Sequence, residues 1–184
     1  PRPSLMDLVS KRMVGYANWW RSRSRVHRLT VLDAVTRDLG AQAHDHTAVT
    51  GDLVNIALSA EFQMAQAWLD RLGGPEDVTF VPGNHDAYVR GIREHFPYVW
   101  AEYFHGDGTA SNSDAAFPYL RRRGPLALIG LSTAIPTAPF MATGRLGHEQ
   151  RGALEKILQQ LSKEDSFRVL MIHHPPRSQK GLHK

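Results

Sequence analysis

The chain has 184 residues, 42% of them hydrophobic and 22% charged, which suits one soluble globular domain with a sizeable core. It contains no Cys, which excludes disulfides, thiolate metal sites and Cys nucleophiles and fits the cytosol, so any metal must be held by His, Asp, Glu or Asn. The formal charge is +4, and part of the excess lies in two clusters, Arg21, Arg23, Arg25 and Arg28, then Arg121, Arg122 and Arg123.

The N-terminal stretch PRPSLMDLVSKRM lacks both the apolar run and the small-residue cleavage site of a signal peptide. It also lacks an initiator Met, so Pro1 is not taken as the natural start. Nowhere does an apolar run approach the roughly 18 residues of a membrane span. Residues 4–25 interleave Leu5, Leu8, Met13, Tyr16, Trp19 and Trp20 with Lys11, Arg12, Arg21, Arg23 and Arg25. This aromatic–basic mix reads either as a helix packed on the core or as a cover over the mouth of a site.

From Arg25 to Leu39, the spacing of Leu29, Leu32, Val35 and Leu39 predicts a helix stopped by Gly40. Thr47–Thr50 reads as a buried strand ending at Gly51-Asp52, with His44-Asp45-His46 as its entrance. A second helix is expected over 59–72, with a stripe of Phe62, Ala65, Leu69 and Leu72, a Ser59 cap and a Gly73-Gly74-Pro75 stop. Val78–Val81 is the next strand, closed by Pro82-Gly83-Asn84-His85-Asp86, and 87–114 reads as loops with a short helix. Arg121–Arg123 reads as a basic turn and the first Arg cluster as a solvated helix face, although such clusters also meet phosphate-bearing partners. Leu126–Leu131 is a buried strand. A third helix over 147–161 sets Leu154, Ile157, Leu158 and Leu161 on one face, and Phe167–Ile172 is a final strand leading into His173-His174-Pro175-Pro176. Strands alternating with helices predict an α/β layered core, with the polar motifs at the C-terminal strand ends where such sheets place ligand sites.

Each strand-end cluster has an ordinary explanation: Asp52 and Asp86 as helix caps, Gly-Asn as a turn pair, a lone His as a satisfied, half-buried side chain. Together they place carboxylate, carboxamide and imidazole donors where three strands stop. That mix of oxygen and nitrogen suits Mn, Fe or Zn better than the all-oxygen preference of Mg or Ca.

In this order, and each at a strand end, GDLVN (51–55), PGNHD (82–86) and MIHHPP (171–176) resemble the calcineurin-like metallophosphoesterases, in their bacterial phosphodiesterase-like branch. The likeness extends to LIGLSTAIPT (128–137) and GRLGHEQ (144–150), so it spans about residues 25–176. The resemblance implies two mixed β-sheets packed face to face and flanked by helices. It implies hydrolysis of a small-molecule phosphoester, a phosphodiester above all, by a hydroxide bridging two divalent ions (Mn, Fe or Zn). By the same resemblance Asp52 bridges the two metals, Asn84 and His173 hold the second, and His85 acts on the phosphoryl group or the leaving oxygen. Asp86 would orient its loop or cap the next helix, and His174 would line the cleft.

The family's opening Asp-x-His and closing Gly-His-x-His are not at their places, and Gly181-Leu182-His183 follows the His-His-Pro-Pro loop without a strand between. The 184 residues are therefore expected to form one domain lacking its first strand and its last strands. Alternatives left open are a catalytically inactive fragment with a partial metal or phosphate site, and a nuclease or nucleic-acid-binding member supported by the Arg clusters.

Overall fold

The computed structural model describes residues 3–4, 8, 11–23, 26, 28–89, 100–108, 117–138 and 141–176. Among the described residues, five strands fall in two sheets. The first sheet pairs β1 (Thr47–Val49) in parallel with β2 (Val78–Phe80). The second has the order β3 (Tyr119–Arg123), β4 (Leu126–Gly130), β5 (Phe167–Met171), antiparallel and then parallel. The α/β two-sheet expectation holds, with one amendment: among the described residues only the second sheet is mixed.

The helices are α1 (Arg12–Asn18), continued by a π-helical turn over Trp19–Arg23, then α2 (Leu29–Ala41), α3 (Ser59–Leu72) and α4 (His148–Leu161). A 3₁₀ turn spans Ala101–Phe104. Helix α3 buries Phe62, Ala65 and Leu69 against Val78 and Phe80 of β2, with Trp100, Tyr103 and Phe104 completing an aromatic core. Each such large side chain contributes about 1.5–3 kcal/mol on leaving water. On the other side, Val81 meets Leu128 of β4 and Met171 of β5, which joins the two sheets. The opposite face of β4, Ala127 and Ile129, packs with Leu131 on Leu161, and Leu154, Ile157 and Leu158 of α4 lean on the same cluster. The order of layers is thus α3, first sheet, second sheet, α4.

Four local expectations are corrected. Helix α2 runs through Gly40 to Ala41, and Leu29, Leu32 and Val35 of its apolar stripe are exposed. It faces α3 through polar groups instead, the Trp68 indole donating to Thr36 Oγ1 at 3.0 Å and Arg71 pairing with Asp33 at 3.1 Å. Ser59 does not cap α3; the Glu61 carboxylate accepts the Leu58 and Ile56 N–H groups, both at 3.0 Å. Arg121–Arg123 is not a turn but the last three residues of β3, joined to β4 through Gly124-Pro125.

Nor are those arginines free. Arg121 is buried, and its guanidinium donates to the carbonyls of Val78 and His105 at 2.6 Å, of Glu102 at 3.0 Å, and of Pro75. Arg122 pairs with Glu164, and Arg123 with Asp107 and Glu76. One face of β3 therefore serves the outer edge of β2: Tyr119 donates to Phe80 O at 2.5 Å, Arg121 to Val78 O, and Arg123 to Glu76 O at 2.9 Å. Carbonyls without a strand partner are satisfied by side chains, as buried backbone groups require.

Candidate active site

The three motif loops converge. Two leave the parallel strands β1 and β2, and the third leaves β5 in the other sheet, so the site lies across the two sheets rather than along one. Past β1 the backbone turns left-handed at Gly51 (φ 98°) and again at Asp52 (φ 60°). Asp tolerates this region better than most side chains, and glycine adopts it freely. The turn is fixed by Asp86, whose fully buried carboxylate accepts the N–H groups of Asp52 and Gly83 at 2.8 Å and of Val54 at 3.1 Å. Burial pushes the Asp86 carboxyl up to about 7, against the pull of those N–H groups and helped by the nearby charge of Asp52. Asp86 thus ties the Gly51-Asp52 loop to the Gly83-Asn84-His85-Asp86 loop.

Asp52 points the other way, toward solvent. Its Oδ1 accepts the His85 N–H at 2.9 Å, and its Oδ2 lies 3.6 Å from His173 Nε2. Gly83 makes this approach possible: a Cβ there would overlap Asp52 Oδ1 and stand 2.7 Å from His173 Cε1. His173 Nδ1 lies 2.6 Å from the Thr50 carbonyl, which can only accept, so Nδ1 carries the proton. In the neutral ring the lone pair is then on Nε2, facing the Asp52 carboxylate.

Two electron-rich atoms 3.6 Å apart are too far for a hydrogen bond and suit a cation between them, at the roughly 2.0–2.2 Å of nitrogen and oxygen ligands. A ligating imidazole whose other nitrogen donates to a carbonyl is the usual arrangement in metal sites. The donors fit a divalent cation in this respect. Asn84 is half-buried on the same loop, between Gly83 and His85, and its carboxamide makes no hydrogen bond among the described residues. No group of three or more His, Cys, Asp or Glu side chains suited to a metal occurs among the described residues, so the donor set is Asp52 and His173 with Asn84 beside them.

His85 is held in two ways. Its Nδ1 lies 2.6 Å from the Asn55 carbonyl, which again fixes the proton there, and its ring stacks on Tyr88 at 5.6 Å with 13° between planes. His174 stands edge-on to His173 at 4.9 Å, and its Nδ1 meets Thr133 Oγ1 at 2.7 Å. Burial, then the neighbouring His173, push its pKa below the ordinary value. The Thr133 loop is pinned by α4, whose Gln150 accepts the Ser132 N–H at 2.8 Å and donates to the Ser132 carbonyl at 2.9 Å. Helix α4 therefore supports the cleft from the far side.

Of the residues named from sequence, Asp52, His85, Asp86 and His173 are in direct contact or one bond apart, and His174 borders them. His44 and His46 stand elsewhere: His46 Nε2 meets Thr79 Oγ1 at 2.5 Å and His44 meets Gln42 O and Thr47 Oγ1, both at 3.0 Å, in keeping with a strand entrance. Residues 181–183 lie outside the described residues. Sequence reasoning passed over Tyr88 and the Thr50 and Asn55 carbonyls. For Tyr88 the available signal was an aromatic three residues past His85, a spacing that the turn closes with Tyr88 N–H on His85 O at 3.2 Å.

Strand-end Gly-Asp and Gly-Asn-His-Asp loops, converging in a two-sheet α/β fold, define a class of hydrolases that cleave phosphoesters with bound cations. The sequence profile of the calcineurin-like phosphoesterases matches residues 23–184, and the chain belongs to that family. Metal-dependent phosphoester hydrolysis is the activity that membership implies. No curated protein matches the chain. Among the described residues no helix is long and apolar enough to cross a membrane.

Proposed function

We propose that this chain carries the catalytic core of a phosphodiester hydrolase working with two divalent cations, Mn, Fe or Zn. The supporting observation is the facing pair of Asp52 Oδ2 and His173 Nε2, 3.6 Å apart, with the other nitrogen of His173 locked on Thr50 O. In this reading Asp52, Asn84 and His173 hold one cation, and Asp52 also reaches the other. When bound, such cations act as Lewis acids on the phosphoryl oxygens and lower the pKa of water to give a nucleophile at neutral pH.

The side chains supply the rest. Because the Nδ1–H of His85 donates to Asn55 O, its chemistry with substrate runs through Nε2. As an imidazolium, it hydrogen-bonds a phosphoryl oxygen through Nε2 and passes that proton to the departing alkoxide. Asp86 keeps the two loops in register and does not touch substrate. His174, neutral beside Thr133, lines the cleft.

The test is a metal titration followed by turnover of a bis-aryl phosphodiester and of the matching monoester. Bound divalent metal with faster cleavage of the diester supports the reading. One weakly held equivalent without turnover points instead to a chain that only binds metal or phosphate. Affinity for nucleic acid that survives chelator and falls steeply with salt would point to a binding module.

A further inference from the structure

Helix α1 lies ahead of residue 23, outside the family match, yet it packs on the loops of the candidate site. Arg12 Nε donates to Ile56 O at 3.0 Å and Nη2 to Ala57 O at 2.6 Å, just past the Asn55 carbonyl that holds His85. Gly15 sits so close that a Cβ would overlap the Tyr88 hydroxyl and stand 2.7 Å from Ile56 Cγ2. Lys11, the residue before α1, donates to Thr137 Oγ1 at 3.2 Å and sets its ammonium 4.2 Å from the centre of the Tyr88 ring. Tyr88 is buried, and His85 stacks on it.

We infer that Tyr88 is the positioning residue of His85 and that α1 is the buttress that fixes Tyr88. Three α1-side contacts, from Lys11, Arg12 and Gly15, converge on Tyr88 and on Ile56 and Ala57, the residues that follow Asn55. Tyr88 and Asn55 are the two residues that hold the imidazole, one through its face and one through Nδ1. Lys11 and helix α1 thus work as a fixed wall of the site rather than as a loose cover. For turnover, the inference rests on the reading of His85 as the residue acting on substrate.

The same geometry gives a readout that needs neither metal nor substrate. The His85 Nδ1–H, bonded to Asn55 O, should give a slowly exchanging imidazole resonance in the metal-free full chain. The resonance should persist in Tyr88→Phe, which keeps the ring, and broaden or vanish in Tyr88→Leu. Arg12→Met, which loosens the 56–57 backbone without opening the core, should shift it.

In the metal-loaded protein, Tyr88→Leu should lower kcat about 10- to 100-fold with KM little changed, as expected for a displaced catalytic group. In a His85→Ala background the same substitution should cost nothing further, because both act through one imidazole. Tyr88→Phe should recover most of what Tyr88→Leu loses.

An unmoved resonance in folded Tyr88→Leu, or an additive loss in the double variant, would overturn the inference. If Tyr88→Leu does not fold, an unmoved resonance in Arg12→Met overturns it. A wild-type chain without turnover would count against the proposed hydrolase alone, and the resonance would still decide the role of Tyr88.

Discussion

Asp52 and His85 are bonded to each other through a backbone N–H, yet their chemistry separates them. Asp52 presents a charged oxygen to the nitrogen of His173, whereas His85 has its Nδ1 on a carbonyl and its ring on Tyr88. Asp52→Asn should therefore lower divalent-metal affinity, read as metal bound per chain after dialysis. His85→Ala should keep the metal and reduce turnover about 10²–10⁴-fold, the usual weight of a general acid. Loss of metal from His85→Ala would make that residue a ligand instead. Gly83→Ala changes no donor, but its new Cβ would push Asp52 away from His173, so it should also weaken metal binding. The side chains that converge at the strand ends were legible in the sequence because carboxylate, carboxamide and imidazole declare their chemistry by residue type. The Thr50 and Asn55 carbonyls were not legible, since any residue supplies a backbone acceptor and only the fold says which one faces a ring.

Among the elements, the strands that deliver the motifs were legible because each is a short β-prone run that ends at a polar turn, Gly51-Asp52, Pro82-Gly83 or His173-His174-Pro175. Strand β3 was not, because Tyr119-Leu120-Arg121-Arg122-Arg123 reads as a charge cluster. Its alternation is hidden: Arg121 turns inward on carbonyls while Arg122 turns outward to Glu164. The exposed stripe of α2 shows the opposite error, since helical spacing predicts a helix but not the face it will bury. The role of Arg121 is testable at this scale. Arg121→Met keeps an apolar stem but strands the carbonyls of Pro75, Val78, Glu102 and His105. Each dry carbonyl costs about 1–3 kcal/mol, so a loss of at least about 3 kcal/mol is expected. It should appear as a lower urea midpoint at an unchanged slope. A loss below about 1 kcal/mol would mean that water replaces the guanidinium and that the edge of β2 is not dry.

In the whole molecule, the arginines that the sequence offered to an outside phosphate also act inward, on the titration of a histidine. Burial first, then the charges of Arg123 and Arg121, push the pKa of His46 below its ordinary 6.5, while Asp77 and Asp107 pull weakly the other way. The unfolded chain therefore binds this proton more readily than the folded one. The contribution of His46 to folding stability must fall as pH drops through about 6.5, and that loss stops once its folded-state pKa is passed. His46→Gln retains a group able to bond Thr79 Oγ1 but cannot titrate. Between pH 8 and pH 5 the wild type should lose more thermal stability than His46→Gln, with the difference opening below about pH 7. His105 and His174 are shifted in the same direction and Asp86 in the opposite one, but these groups are common to both proteins and cancel in the comparison. Parallel melting curves across that range would show that His46 is hydrated in the folded chain, and that Arg121 and Arg123 exert no field on the first sheet.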